Sequence, residues 1–597
     1  MLEKLKRLEE KPIDTLVLRA LASWCFTALF IFLKVGEKFT SLKAFDSVSL
    51  VLLAAVFVIC FAVLSIVYFL GKVEKIDVYA LPVSFGAYSL VTLLGSSKSY
   101  YFAFGLIILW AILIYYYHKK DLFGEIKLSS KKTKLLVGLT ALTFVFFAGL
   151  AGVLRYESNW APNFDFGIFC NMYYNMKESL QPLTTCERDT LLSHFAVHVS
   201  PIYYLLLPVY WIFPSPSTLQ MMQAVVLAIS IIPVYMLSKH FELSNGKTLL
   251  LCAATMLHPA VASGTNYDLH ENCFLLPLLL FAFLFFEKEK YIPMSVFLVL
   301  TLLVKEDAAV YVIFFALYVF LSRRKYLLGA IIAAVAGIYF LIVLSYLGTS
   351  GDGVMSYRYG NFIVGEGGLF DAVKNVLVNP AYVFTQIFVD DEGSYSQKLL
   401  LILQLFVPLA FLPFGTKKVS RLILVLPFIL LNLMTVYPYQ YNITFQYTFG
   451  PMAFLFYLAV LNIKDIKPVT SGLLLKIAAV ASCALFLVSA VPRFFQYFSA
   501  VAGNIENIEL TNEALEAIPE EASVISSSYF LPRLSERKEI YAINYHEVQD
   551  GERVDYVIID TREKYEPFLD KYLDLGYSIT DTVENSDGKV LVYILEP

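Results

Sequence analysis

Cysteine is scarce, with seven residues in a chain of 597. No CxxC pair occurs, which removes zinc-ribbon, dithiol-redox and disulfide-framework readings. No GxGxxG or Walker sequence is present, so nothing points to a nucleotide. Charge is thin as well, at 16% of residues with a net −4 and a pI near 6.1. The basic residues fall in short clusters rather than a stripe, which speaks against a nucleic-acid partner. Cys170 and Cys186 lie close together in a polar loop, where they read as two free thiols ahead of a bonded pair.

What the chain has in excess is apolar surface. Hydrophobic residues make up 58% of it and the mean hydropathy is +0.65. No water-soluble core of this size hides so much, so a bilayer must act as solvent. Runs near the ~20 residues that cross hydrocarbon occur at about 14–35, 47–70, 77–96, 99–117 and 134–154. More follow at about 218–238, 248–265, 272–286, 291–304, 306–321, 326–347, 398–414, 420–437, 443–461 and 473–492. The first run is too long for a signal-peptide core and reads as a retained anchor. The pattern predicts an α-helical polytopic membrane protein of about fifteen transmembrane helices.

Orientation follows from lysine and arginine, which stay on the cytoplasmic side. With the N-terminus inside, the clusters Lys4/Lys6/Arg7, Lys72/Lys75, Lys119/Lys120 with Lys131/Lys132, Lys239/Lys247, Lys288/Lys290, Arg323/Arg324/Lys325, Lys417/Lys418/Arg421 and Lys464/Lys467 all fall inside. This requires that 199–213, with Pro201 and Pro208 and the flanking Pro214, does not cross. Residues 1–133 then form a four-helix extension, and 134–503 a helical core with outer loops 155–217 and 348–397. From 504 onward the tail carries more than two acids per base and alternates strand-like and helical runs. It is expected to be a small extracytoplasmic α/β domain with a hairpin turn at 585–588.

The residues able to do chemistry gather in the outer segments. Asp165 stands between Phe164 and Phe166 just after the fifth span, where partial dehydration is expected to raise its pKa and suit it to general-base work; the plainer reading is a helix N-cap. His194 and His198 share a face if helical, a spacing that binds metal or merely hydrogen-bonds. Asn266-Tyr267-Asp268-Leu269-His270-Glu271-Asn272 packs three titratable groups into one short turn. Lys305, Glu306 and Asp307 interrupt an apolar run, where charges are costly unless paired or used. Arg358 lies between glycine-rich pieces, at 348–353 and 365–368, that suit a closing loop; it reads as a phosphate ligand or as a cation at the headgroups. Their shared membrane face outlines one outward-facing site.

The motifs Phe164-Asp-Phe-Gly-Ile-Phe169, Ser193-His-Phe195, Phe213-Pro-Ser-Pro216, Asp268-Leu-His-Glu271 and Val304-Lys-Glu-Asp307 resemble a family of prokaryotic polytopic membrane proteins related to the GT-C superfamily of glycosyltransferases. The resemblance covers roughly 134–495 and implies a GT-C-like core. It further implies an enzyme that moves a sugar from a polyprenyl-phosphate carrier to an extracytoplasmic acceptor: a cell-envelope glycan, lipid or protein. In such enzymes an acid of the first outer loop acts at the acceptor hydroxyl, and Asp165 is the matching position. His194, His198, Tyr267, Asp268, His270, Glu271, Lys305, Glu306, Asp307 and Arg358 are the expected substrate contacts, with Lys305 and Arg358 at the phosphate. Asp268, His270 and Glu271 are expected to orient the sugar or to hold a divalent cation, Mg or Mn. Phe166 follows Asp165 where a paired acid would stand, which weakens the case for a metal. The competing expectations are a flippase of lipid-linked glycans and a non-catalytic assembly protein.

Overall fold

A computed structural model describes residues 12–36, 48–73, 75–95, 99–122, 124–351, 353, 355–364, 368–389, 393–548 and 553–597. The basic cluster at Lys4, Lys6 and Arg7 and the glycines at 365 and 367 lie outside these. The chain divides into two units.

The first unit comprises residues up to 125 together with 483–492. Ser49 and Ser99 cap helices Leu50–Phe69 and Tyr100–Lys119 by accepting from Leu52 N–H and Phe102 N–H, satisfying donors that hydrocarbon would leave orphaned. Helices Pro12–Val35 and Ile76–Gly95 pack together. Between them Arg19 donates from Nε and Nη2 to both oxygens of Asp77, at 2.8 and 2.7 Å. That buried fork makes two charges tolerable in an apolar setting.

The second unit is built on antiparallel apolar helices. Residues 130–157 run as one span with a π-turn at Val145–Gly149. Helices Pro216–Ile229 and Ile231–His240 follow. Next comes a pair bent by 41°, Asn245–Met256 and Pro259–Thr265, broken where Pro259 cannot continue the ladder. Beyond these are Leu275–Glu287, Tyr291–Leu302, Ala308–Leu321, Tyr326–Ser350, Tyr395–Phe406, Phe449–Ile463 and Pro468–Ala502.

Among the described residues nine helices are long and apolar enough to span, or ten counting the bent pair. Tyr291–Leu302 and Ala308–Leu321 are shorter apolar helices. At 12 and 14 residues they reach only about 18–21 Å, because the Lys305–Asp307 turn cuts one apolar run in two. Residues 199–213 form a 3-10 turn, Pro201–Leu205, and a six-residue helix, Leu207–Ile212, well short of a span.

Following the chain up and down these helices puts the turns at 158–215, 266–271, 303–307 and 351–364 at one end of the bundle. The basic turns of this unit at 239–247, 288–290, 323–325, 417–421 and 464–467 sit at the other. There Lys325 pairs with Glu289 at 2.7 Å, Arg323 with Glu287, and Arg421 with Asp465 at 2.8 Å.

At the polar end lie a two-residue pair, β1 (Leu183–Thr184) with β2 (Leu192–Ser193), and the C-terminal domain. The latter is a five-stranded sheet of β3 (Val524–Ser526), β4 (Ile540–Ala542), β5 (Tyr556–Asp560), β6 (Ser578–Glu584) and β7 (Val590–Glu596), in the order β4-β3-β5-β7-β6. β3 runs parallel to β4 and β5, while β7 is antiparallel to β5 and β6. Helices Ile505–Glu516 and Glu566–Asp574 complete it, and Asn585–Gly588 turns the β6–β7 hairpin with Gly588 at φ 75°.

This domain is tied to the loop after the first span of the unit. Ile168 and Cys186 belong to the same core cluster as Val524, Leu531, Ile540 and Val592. Asn171 donates to the carbonyls of Ser535 and Arg537 at 3.0 and 2.8 Å. Ile540 N–H donates to Thr185 Oγ1 at 3.1 Å. A Cβ at Gly167 would stand 2.5 Å from the Leu531 methyl and closer still to the Asn163 amide oxygen, so a larger residue here would force those side chains to shift.

Candidate active site

Asp165 sits in a single π-turn, Asn163–Gly167, that opens helix Ile168–Ser179. Its side chain is 35% exposed, whereas His270, one of the two groups holding it, is buried. Tyr267 donates its hydroxyl to Asp165 Oδ2 at 2.6 Å, and His270 Nε2 stands 3.5 Å from the same oxygen. The imidazole lies flat on the Tyr267 ring, at 5.4 Å and 22°. Its other nitrogen, Nδ1, is 3.0 Å from the Asp268 carbonyl, which can only accept, so Nδ1 carries a proton. An imidazolium facing Asp165 is therefore the favourable form. Burial alone would lower the His270 pKa, but Asp165 raises it above its ordinary value.

The expected rise in the Asp165 pKa does not hold. Burial does push the carboxyl up, but the His270 charge and the hydrogen bonds from His270 and Tyr267 hold it below the usual aspartate range. Its side chain serves these contacts rather than a helix cap.

The sign of the pH dependence follows. His270, raised above 6.5, contributes stability that is complete below its unfolded value and is lost as pH rises through its folded one. Asp165, lowered below 3.8, contributes above its unfolded value and fails only as pH falls through its still lower folded one. The pair therefore spans a window from below pH 3.8 to above pH 6.5. Melting temperature should decline on the alkaline side above pH 6.5 in the native chain. In His270→Asn that alkaline step should be absent; its persistence would separate His270 from the effect.

Behind this pair lies a second shell of buried polar groups. Asp268, fully buried, accepts at Oδ1 from Arg155 Nη1 at 2.9 Å and from Gln220 Nε2 at 2.8 Å. Burial pushes the Asp268 carboxyl up while Arg155 pulls it down. The short contact, and the guanidinium's own need for a counter-ion, favour the ionised pair. Gln223 accepts from His270 N–H at 2.9 Å and donates to the Thr265 and Tyr267 carbonyls at 3.3 and 3.1 Å. The turn is thus fixed from both sides.

Glu271, 1% exposed, takes Lys305 Nζ at 2.9 Å and the Tyr203 hydroxyl. Burial would raise its pKa; Lys305, followed by His270 and His198, holds it far below the usual range. His198 pairs with Glu306 at 2.9 Å and His194 with Glu187 at 2.8 Å. Residues 194–196 form one 3-10 turn rather than an α-helix, so the two histidines address different glutamates instead of a shared ligand. Burial raises the Asp307 pKa against the pull of Lys305.

Arg358 lies over Tyr437 at 4.5 Å and Tyr447 at 5.5 Å. Its carbonyl accepts from Val436 N–H and Thr435 Oγ1, and its buried Nε has no hydrogen-bond partner. Tyr447 is within electrostatic reach of Arg358, Lys305, Asp165 and Glu271, which makes these groups neighbours of one ring.

Asp268 and Glu271 are each committed to a cation, and His270 to Asp165. Among the described residues no group of three or more His, Cys, Asp or Glu side chains is arranged to hold a metal ion. This donor set does not fit a divalent cation, and no step below passes through one. Arg155, Gln220, Gln223 and Tyr203 were not singled out from the sequence. Two glutamines at i, i+3 inside an apolar run, and an arginine ending one, were the available signals.

The model of a family described as predicted membrane protein (DUF2079) matches residues 157–582. No curated protein matches the sequence. Among solved structures the chain is similar to the crystal structure of ArnT from Cupriavidus metallidurans bound to undecaprenyl phosphate. The TM-score is 0.50 at 11% identity, covering 78% of this chain and 98% of that one. The apo state of that protein gives 0.44 at 11% identity, covering 75% and 97%. The single-particle cryo-EM structure of arabinofuranosyltransferase AftD from Mycobacteria gives 0.43 at 11% identity, covering 79% and 40%. The first of these likenesses shows a shared fold and nothing beyond it. The chain is a multi-pass membrane protein, and the motif resemblance to a family of membrane proteins is borne out.

Proposed function

We propose that this chain, which belongs to the DUF2079 family of predicted membrane proteins, is a glycosyltransferase that takes its sugar from a polyprenyl-phosphate carrier. One observation carries this reading. A partly exposed carboxylate, Asp165, is held by half-buried Tyr267 and buried His270 at the same bundle end as Lys305 and Arg358. With the basic turns in the cytoplasm, this end and the C-terminal domain face outward, where nucleotide sugars are absent and a lipid-linked phosphosugar is a workable donor. The undecaprenyl phosphate bound to ArnT supports that class of donor.

In the reaction the acceptor hydroxyl oxygen attacks the anomeric carbon and the bond from that carbon to the phosphate oxygen breaks, with inversion. The bond electrons leave with the lipid phosphate, and the hydroxyl proton passes to Asp165. A carboxylate with a depressed pKa suffices. Once the acceptor oxygen has bonded to carbon it is an oxonium, far more acidic than any carboxylic acid. His270 and Tyr267 aim Asp165 and keep it ionised. Arg358, which forms no ion pair with a carboxylate among the described residues, is the group that pairs with the departing phosphate. Lys305 is already paired with Glu271 and adds field rather than a direct bond.

The test is incubation of purified protein in nanodiscs with a radiolabelled polyprenyl phosphosugar and a cell-envelope extract. Labelled product supports a transferase. Relocation of label across the bilayer without product, or neither, overturns it.

A further inference from the structure

The C-terminal domain carries a second site, resting on the transferase reading above for its role. The chain passes from β3 to β4 on one side and then to β5 on the other. The strand order thus reverses between β3 and β5, and an open α/β sheet presents its ligand crevice at the carboxyl ends of such a pair. Ser527-Ser528-Tyr529 leave β3 there, and Thr561-Arg562 leave β5.

What meets this edge is the loop that carries Asp165. Asn163 N–H donates to Ser528 Oγ at 3.1 Å, and the Trp160 and Tyr529 rings meet edge-on at 5.4 Å and 68°. The Arg562 guanidinium sits 5.2 Å from the Trp160 ring centre, 5.6 Å from Tyr529 and 5.3 Å from Phe530. Arg562 is locked by fully buried Asp560, to which it donates from Nε at 3.0 Å and Nη2 at 2.6 Å. Its Nη1 has no protein partner among the described residues. Trp160 is 45% exposed and the Arg562 side chain 28%.

An indole left open beside a guanidinium fixed by a buried carboxylate is costly to order on a surface that does nothing. We propose that Trp160, Tyr529 and Arg562 form a subsite for a neutral sugar ring of the acceptor. The indole offers a flat apolar face to the ring's C–H face, and Nη1 donates to a hydroxyl. Asp560 cancels the arginine charge, so the site favours a neutral ligand over a phosphate. The acidic excess of the surrounding domain likewise disfavours anionic headgroups. Trp160 is five positions from Asp165, at most about 17 Å along the loop. A short glycan seated on the indole therefore reaches Asp165 with its end hydroxyl.

The full chain in nanodiscs, with no donor present, is titrated with short neutral hexose and N-acetylhexosamine oligosaccharides, following tryptophan fluorescence and saturation-transfer NMR. At least one oligosaccharide should bind. Trp160→Ala and Arg562→Gln should each weaken it about tenfold, and Trp160→Phe, which keeps a ring, only about threefold. Overturning results are that no oligosaccharide binds, that the Ala and Gln variants bind as the native chain does, or that these variants instead lose affinity for phosphatidylglycerol vesicles. Because no donor is present, sugar binding in a chain that transfers nothing sinks the transferase reading and leaves a carbohydrate site. Transfer without such binding does the reverse.

Discussion

Asp165→Asn is expected to lower the rate of sugar transfer about 10²–10⁴-fold while leaving the protein folded. The amide keeps the shape and can still accept from Tyr267, so the variant removes the proton acceptor and little else. The measurement is kcat with labelled polyprenyl phosphosugar at saturating acceptor, beside a melting curve. Full transfer by the Asn variant would remove Asp165 from the chemistry. A lost rate accompanied by a collapsed melting curve would make it a structural residue. His270→Asn should also slow transfer, because the depressed Asp165 pKa depends first on that imidazole's charge among its attractive partners.

The second large effect is on stability. Lys305 and Glu271 are both buried and 2.9 Å apart, so Lys305→Met strands an anion whose remaining hydrogen bond, from the Tyr203 hydroxyl, cannot replace a cation. Removing one partner of such a pair costs about 3–5 kcal/mol. The double variant Lys305→Met/Glu271→Gln should recover most of the loss, since the neutral amide still accepts from Tyr203. Thermal unfolding of the four proteins measures this directly. A double variant no more stable than the single one would show that Lys305 acts through something other than Glu271.

These two cases also show what the sequence makes legible. Charges cut into an apolar run are visible in one dimension, and their cost in hydrocarbon announces that Lys305, Glu306 and Asp307 must find partners. It does not say which partners. Glu271 for Lys305 and His198 for Glu306 are chosen by how helices pack. The strand-like runs 522–526, 539–543, 556–560, 577–583 and 590–595 lie within one or two residues of the observed strands because short β-branched and aromatic runs between turn residues are a local signal, and the Asn585–Gly588 turn carries its own. The Asp165 environment was not readable. The aromatic neighbours suggested a dry carboxyl with a raised pKa, whereas the deciding group is an imidazole brought in from another turn. Fifteen apolar runs correspond to nine or ten helices of spanning length among the described residues, because runs such as 291–304 and 306–321 fold into helices too short to cross unaided. Arg155 and Gln220 escaped notice since their role exists only through Asp268.

The anchoring of the Asp165 loop has a consequence for biosynthesis. Asn163, Gly167, Ile168, Asn171 and Thr185 all rest on residues between Val524 and Val592, which are translated long after the loop. Until those residues are made, the loop lacks its contacts with the C-terminal sheet. In a nascent chain stalled before β3 the segment around Asp165 is therefore held only by its contacts within the helical bundle, and its full anchoring waits on the C-terminal domain.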